Sequence, residues 1–344
     1  MKARPGARKI QNRRRGDSSQ SYRSAFQIGF LVLNLWIGLQ FYLWVRYYET
    51  GGRGWAVSRP PGVEGWLPIA SLMNLKAWIS GGGLTEIHAA GVFLLIAFLT
   101  ISFVARKTFC SWLCPIGTIS EALWQAAERV FGKTLRPPQW LDWPLRGLKY
   151  LLLAFFVHAI LWMPVAAIRA FLDGPYGVVA DVKMLNFFRQ ISFVAAIVTL
   201  VLILLSMVVR NFWCRYLCPY GALMGLAALP SPVGIRRDPD LCVDCGKCTE
   251  ACPSLLPVAR LTKVRSPECT ACFSCVSECP AAGALELRTG RGRRVPAWKV
   301  GLTIAALFLG IVGVARLSDR WHTRLPEAVY FELVPRANQF PHPR

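Results

Sequence analysis

Apolar residues in this chain come in long runs separated by polar stretches rich in Lys and Arg. Five runs, at 25–45, 88–105, 147–168, 191–209 and 297–317, approach the ~20 apolar residues that a helix needs to cross a bilayer. The first follows a basic arm, as a signal peptide would. It has full span length, however, and is followed by "YLWVRYYET" rather than a small-residue cleavage site, so it reads as a retained signal anchor. The fifth carries Lys299 and Arg316 near its ends, where long side chains reach the interface. Trp36, Trp44, Tyr47 and Tyr48 near a span end fit an aromatic belt. The pattern predicts an α-helical polytopic membrane protein of about five transmembrane helices.

Of the 344 residues, 54% are hydrophobic, yet the net charge is +21. The distribution of that charge changes the picture. Lys and Arg number eight before the first run, four in 46–87, seven in 106–149, three in 169–190, twelve in 210–296 and five from Arg316 onward. By the positive-inside rule this alternation puts the N-terminus in the cytoplasm and the C-terminus on the far side of a bacterial inner membrane. No nucleic-acid motif accompanies the charge, so the lipid bilayer is the expected partner and nucleic acid is not. The arm "RKIQNRRR" fits an anionic lipid surface.

Eight of the twelve cysteines fall in the cytoplasmic segment, as "CVDCGKCTEACP" (242–253) and "CTACFSCVSECP" (269–280). Each is C-x2-C-x2-C-x3-C-P, in which three cysteines serve one [4Fe–4S] cluster and the fourth serves the other. Cluster A is then assigned to Cys242, Cys245, Cys248 and Cys279, and cluster B to Cys269, Cys272, Cys275 and Cys252. Zinc favours paired C-x2-C units, and the cytoplasmic side disfavours disulfides. Pro253 and Pro280 stop local helix. "VGIRR" and "ALELR" alternate well enough to pair as strands, and "LLPVARLTKV" suits a short helix, which completes a small ferredoxin-type α+β domain.

The remaining four cysteines sit in "FCSWLCPIGTISE" (109–121) and "FWCRYLCPYGALM" (212–224), each just after an apolar run and at the same offset from one another. Residues i and i+4 share a helix face. Proline disfavours helix in the residue before it, so each helix should end near the second cysteine, with Gly117 and Gly221 permitting a turn and "TISE" capping a new helix. The chain thus looks like a tandem duplication of two-span units. The segments "EGWLPIASLMNLKAW" and "GPYGVVADVKMLNFF" are matching apolar loops. Cys110, Cys114, Cys214 and Cys218 are then expected to converge on one redox or metal site, with Arg106, Lys107, Arg210 and Arg215 lowering their pKa values. A cluster, a mononuclear metal and a reversible dithiol all suit four soft ligands; inert membrane-edge cysteines are the bland alternative. His158, within the third run, and His88, at the start of the second, are candidate quinone or proton sites, against a satisfied interhelical bond for His158. No C-x-x-C-H, G-x-G-x-x-G or G-x-x-x-x-G-K-[ST] motif occurs, so no c-type haem or nucleotide site is expected.

Together with both ferredoxin runs, "WVRYYET", "PLRGLKYLLL", "DVKMLNFFR" and "LPEAVYFELVP" make the chain similar to the NapH/NosR-type membrane polyferredoxins. That resemblance implies an inner-membrane iron–sulfur protein that relays electrons between a membrane donor, quinol by family habit, and a redox partner protein. It does not extend to the flavin-binding periplasmic domain of NosR, since the first extracytoplasmic segment is about forty residues, nor to the C-terminal periplasmic domain of the copper-reducing relatives. Metal reduction or metal-centre maturation, and anchoring of a soluble redox enzyme, are the competing expectations. The resulting organisation is a basic arm (1–24), a four-helix membrane domain (25–229), a 2[4Fe–4S] ferredoxin domain (230–290), a fifth helix (297–317) and a periplasmic tail (318–344).

The charge alternation makes a direct prediction. Reporter fusions near Lys133 and Gly290 should report the cytoplasm, and fusions near Gly82 and Gly174 the far side; a cytoplasmic signal at either of the latter would overturn the orientation.

Overall fold

The computed structural model describes residues 16–342, so the arm motif "RKIQNRRR" lies outside the described residues. In chain order the helices are α1 (Ser19–Glu49), α2 (Pro68–Ala77), α3 (Ala89–Ala105), α4 (Pro115–Phe131), α5 (Gln139–Trp162), α6 (Val165–Asp173), α7 (Ala180–Arg189), α8 (Phe193–Val208) and α9 (Pro219–Ala227). Strands β1 (Val233–Arg237) and β2 (Leu285–Thr289) follow, then α10 (Ala297–Leu317) and α11 (Glu327–Leu333).

All five apolar runs are helical, and three of the helices are by themselves long and apolar enough to cross a membrane. By length and composition α1, α5 and α10 can cross a membrane, and α7 with α8 adds a fourth only if that pair, bent by 83°, is one span. Helix α3, at 17 residues, is shorter; it is apolar all round and buried at Ala90, Val92, Leu95, Ala97 and Ile101, as a central helix is. The third run does not continue to residue 168. Pro164 pushes Met163 out of helical geometry, α5 stops at Trp162, and α6 starts afresh.

The chain divides into two compact units, residues 1–31, 98–153 and 201–307, and residues 32–97, 154–200 and 308–344. In the second unit, Ala70, Met73 and Ala77 of α2 pack on Ile168 and Leu172 of α6. The ammonium of Lys76 donates to the carbonyls of Ile160 (3.0 Å), Leu161 (2.7 Å) and Met163, satisfying the open C-terminus of α5. Trp44 and Tyr48 are not belt residues: both are buried, edge-on against Tyr330 or tilted onto it, in a core with Phe41 and Val179. Trp36 is exposed, as a belt residue should be. The two similar loop motifs are helical, as α2 and α7.

In the first unit the two strand motifs pair antiparallel, from Val233 opposite Thr289 to Arg237 opposite Leu285. Ile235, Leu285 and Leu287 point into one core, the period-2 face that the alternation implied. The segment between the cysteine runs forms only one 3-10 turn, Val258–Arg260, because Pro257 leaves it a single turn before the chain extends again at Leu261. This hairpin brings both cysteine runs onto the ends of helices α3 to α5.

Candidate iron–sulfur sites

Cys252, Cys269, Cys272 and Cys275 line one cavity, walled by Ile235, Val258, Val264 and Phe273. Burial and the neighbouring Cys272 push the Cys252 thiol up to about 12. Cys248 is likewise pushed up to about 11, by burial and then by Cys279, Cys245 and Cys242. Cys245 and Cys279 flank the same small core of Val243, Ala281 and Ala284. The fourth cysteine of each run therefore lies with the other run. Asp244, Gly246, Ala271 and Phe273 all adopt left-handed backbone, which curls the chain around the thiols. Such thiols stay protonated until a metal takes the proton's place. Four soft ligands around an apolar cavity fit a [4Fe–4S] group. Among the described residues no three His, Cys, Asp or Glu side chains close tightly enough to hold a single metal ion.

The two Cys-x-x-x-Cys-Pro elements share one local structure. Phe109–Leu113 and Trp213–Leu217 each form a single π turn, and the second cysteine, Cys114 or Cys218, is extended and caps the next helix. Pro115 and Pro219 cause both features: each bars helix in the preceding residue, and each is preorganised for the first helical position. The Cys218 sulfur accepts the Gly221 N–H at 3.2 Å. Two expectations fail here. Helix α4 begins at Pro115, so Thr118 lies inside it, bonding its hydroxyl back to the Cys114 carbonyl at 3.2 Å rather than capping. Gly117 is also helical, and is needed for close approach: a Cβ there would lie 2.2 Å from the Cys110 carbonyl oxygen.

Cys218 lies near enough to Cys110, Cys114 and Cys214 to shift the ionisation of each. Burial pushes Cys110 up to about 12 and Cys114 up to about 11, and raises Cys214 strongly. The expectation that four cations would lower these thiols is therefore reversed. Arg210 is bound to Glu128 and Thr134, and Arg215 to Asp142 and Tyr216. Lys107 is the cation that draws Cys110 and Cys214 down. It belongs to a buried group that the sequence reading missed. Lys149 and Tyr150 donate to the two Glu268 oxygens at 2.5 and 2.9 Å, and the Lys107 ammonium lies 3.8 Å from Glu268. Burial would raise the Glu268 carboxyl, yet the two lysines hold it down at about 2. Two lysines against one glutamate leave a surplus positive charge beside the four thiols. The available signal was Lys149 in "RGLKYLLL", an ionisable residue at the mouth of an apolar run.

The 4Fe-4S binding domain family matches residues 87–135 and again 191–236, one match on each Cys-x-x-x-Cys-Pro element, and the 4Fe-4S dicluster domain family matches 234–280. The protein YccM of Escherichia coli (strain K12), whose name assigns it to electron transport, is 45% identical over 331 residues, 94% of this chain and 93% of that one. The chain belongs to the polyferredoxin-type electron transport family. Among other relatives of this polyferredoxin, NirI of Paracoccus denitrificans is 30% identical over 62% of the chain and 31% of NirI. The ferredoxin-type protein NapH of Haemophilus influenzae is 26% identical over 62% of the chain and 71% of NapH. No solved structure matches.

The histidines of this polyferredoxin occupy opposite environments. His158 is exposed on α5, its ring 5.8 Å from that of Trp162. His88 is buried and left-handed (φ 58°) at the start of α3. Its Nε2 lies 2.7 Å from the Gly177 carbonyl and its Nδ1 3.3 Å from Arg59. Arg59 forks onto Asp181 (3.0 and 2.7 Å) and donates to Glu64 (2.8 Å) and Thr323 (3.0 Å). Glu64 also accepts the Gly91 N–H at 2.9 Å. Burial alone would raise Glu64, but Arg59 and then His88 hold it down at about 2. This network ties the loop before α2 to α3, α7 and the segment around Thr323.

Two outcomes follow. Gly117→Ala should cost about 1–3 kcal/mol through overpacking, seen as a lower Tm in detergent. Gly221→Ala, whose Cβ would meet nothing closer than 3.6 Å, should melt like wild type. Glu64 sits at about 2 in the fold against 4.5 ordinarily. Its stabilisation, about 3 kcal/mol, is thus fully present above pH ~4.5 and lost as the pH falls toward ~2. Glu64→Gln should flatten that part of the stability profile; an unchanged acid limb would disprove the assignment.

Proposed function

We propose that this chain is a membrane electron relay holding three [4Fe–4S] clusters. Two belong to the ferredoxin segment, with Cys242, Cys245, Cys248 and Cys279 as one ligand set and Cys252, Cys269, Cys272 and Cys275 as the other. The third belongs to Cys110, Cys114, Cys214 and Cys218. The observation that carries the reading is the gathering of twelve cysteines into three groups of four. The double match of the 4Fe-4S binding domain family to the repeated elements supports a cluster over a dithiol at the third group.

When bound, such a cluster supplies a one-electron couple whose potential follows charge, hydrogen bonding and exposure. The chain's residues do the rest. Lys107 and Lys149 balance thiolate charge at the repeat site. Ser111 and Trp112, beside Cys110, donate to the carbonyls of Thr270 (2.7 Å) and Ala271 (3.4 Å), which joins the repeat site to the loop of the second run through hydrogen-bonded contacts. In this reading the ferredoxin segment faces the cytoplasm and meets a soluble partner. Quinol, the donor that the family resemblance implies, supplies the electrons at the membrane.

Iron and sulfide analysis of anaerobically purified protein tests this. About twelve of each per chain are expected, falling to about eight when Cys110 and Cys214 are both replaced by Ser. About eight in the wild type would remove the third cluster, and zinc in place of iron would overturn the whole reading. Cys252→Ala should abolish the same EPR signal as Cys272→Ala. A soluble quinol should reduce the wild-type clusters; the Cys110→Ser protein should lose that reduction while keeping its ferredoxin signals.

A further inference from the structure

We propose that Arg106 is the electrostatic tuner of the cluster bound by Cys252, Cys269, Cys272 and Cys275, its guanidinium held in the loop of Cys269 to favour the reduced state. The inference rests on the reading of those four thiols as cluster ligands.

The starting observation is a charge with no opposite charge. Arg106 is 1% exposed. Its Nη2 donates to the Ser266 carbonyl at 2.6 Å, its Nε has no partner, and among the described residues it pairs with no carboxylate. A buried guanidinium without a counter-ion is strongly unfavourable. The carbonyl that holds it belongs to the loop that carries Cys269, three residues further on. A thiolate-ligated cluster is anionic, and so supplies the missing partner.

The backbone is strained to place it there. Arg106 has φ +66°, uncommon for a bulky residue. Its N–H is held by the Ser231 hydroxyl at 3.2 Å, which in turn donates to the Val104 carbonyl at 3.3 Å. The Ser266 carbonyl also accepts the Cys269 N–H at 3.1 Å, so one oxygen fixes both the guanidinium and the ligand.

Three other buried cations here have carboxylate partners. Arg23 reaches the Cys272 carbonyl at 3.1 Å but is ion-paired with Glu121. Lys107 and Lys149 share Glu268. On the other run, Arg237 is 3.5 Å from Asp244. Arg106, by contrast, is a buried cation in the loop of this thiol set that pairs with no carboxylate among the described residues. Accepting one electron adds one negative charge to the cluster and breaks no bond, so a fixed neighbouring cation raises the reduction potential that burial lowers.

The test is an EPR-monitored redox titration of the full-length, anaerobically purified protein, with the relevant signal identified by its loss in Cys252→Ala. Arg106→Gln should shift the midpoint of that signal down by at least a tenfold change in the reduction equilibrium, 59 mV for one electron. The signal of the cluster at Cys242, Cys245, Cys248 and Cys279 should stay in place. Arg106→Lys, which keeps the charge and loses the fork, should fall by less. Should the Gln protein not retain the cluster, the Lys variant decides: a midpoint below wild type supports the inference, and one at or above it overturns it. Equal shifts of both clusters, or none, also overturn it. A wild-type protein without any iron–sulfur signal would sink the ligand assignment and this inference together.

Discussion

Burying anionic sulfur is the constraint on which this structure turns. Thiolates are needed to bind iron, and burial pushes the thiols of Cys110, Cys114 and Cys252 upward. A fold that asks for such ligands must place fixed positive charge near them. Here that charge comes from few residues: Lys107 and Lys149, which outnumber their shared Glu268, and Arg106, which has no carboxylate at all. The same side chains connect the cysteine elements of α3 and α4 to the loop around Cys269. Charge balance and assembly of the first unit are thus a single problem with a single solution.

The duplication shows how a repeat is put to unequal use. Both copies end in a π turn, an extended cysteine and a Pro-started helix, because the local sequence Cys-x-x-x-Cys-Pro dictates it. Their flanking arginines diverge. Arg106 binds the Ser266 carbonyl in the loop of Cys269, whereas Arg210 binds Glu128 and stacks on Trp124 at 4.8 Å. Gly117 is pressed against the Cys110 carbonyl, while Gly221 has ordinary contact distance around it. Matched motifs specify matched backbone; the partners of each side chain depend on which other segment arrives there.

The network of Arg59, Glu64, His88 and Asp181 performs a structural service in the second unit. It satisfies the backbone at Gly91 and Gly177, and it joins segments remote in sequence alongside the apolar core around Val63, Ile87 and Val179. His88 spends its ring nitrogens on this network, and that is the plain physical account of its burial. His158, by contrast, faces outward beside Trp162.

What the sequence determined by itself was whatever a short stretch of chain enforces. The apolar runs became helices, and the ferredoxin strands paired through their period of two. The repeated Cys-x-x-x-Cys-Pro elements announced four thiols at one place. Local rules erred where competing local signals met. Pro164 cut the third run short, Pro115 pre-empted the "TISE" cap, and Trp44 and Tyr48 found Tyr330 instead of the membrane interface. Only the tertiary structure decided the charges. That Lys149 would reach Glu268, that Arg215 would be consumed by Asp142, and that Arg106 would be buried on the Ser266 carbonyl depends on side chains far apart in the chain. Electrostatic energy is set by distance and burial in three dimensions, and neither is written in the spacing of residues along one.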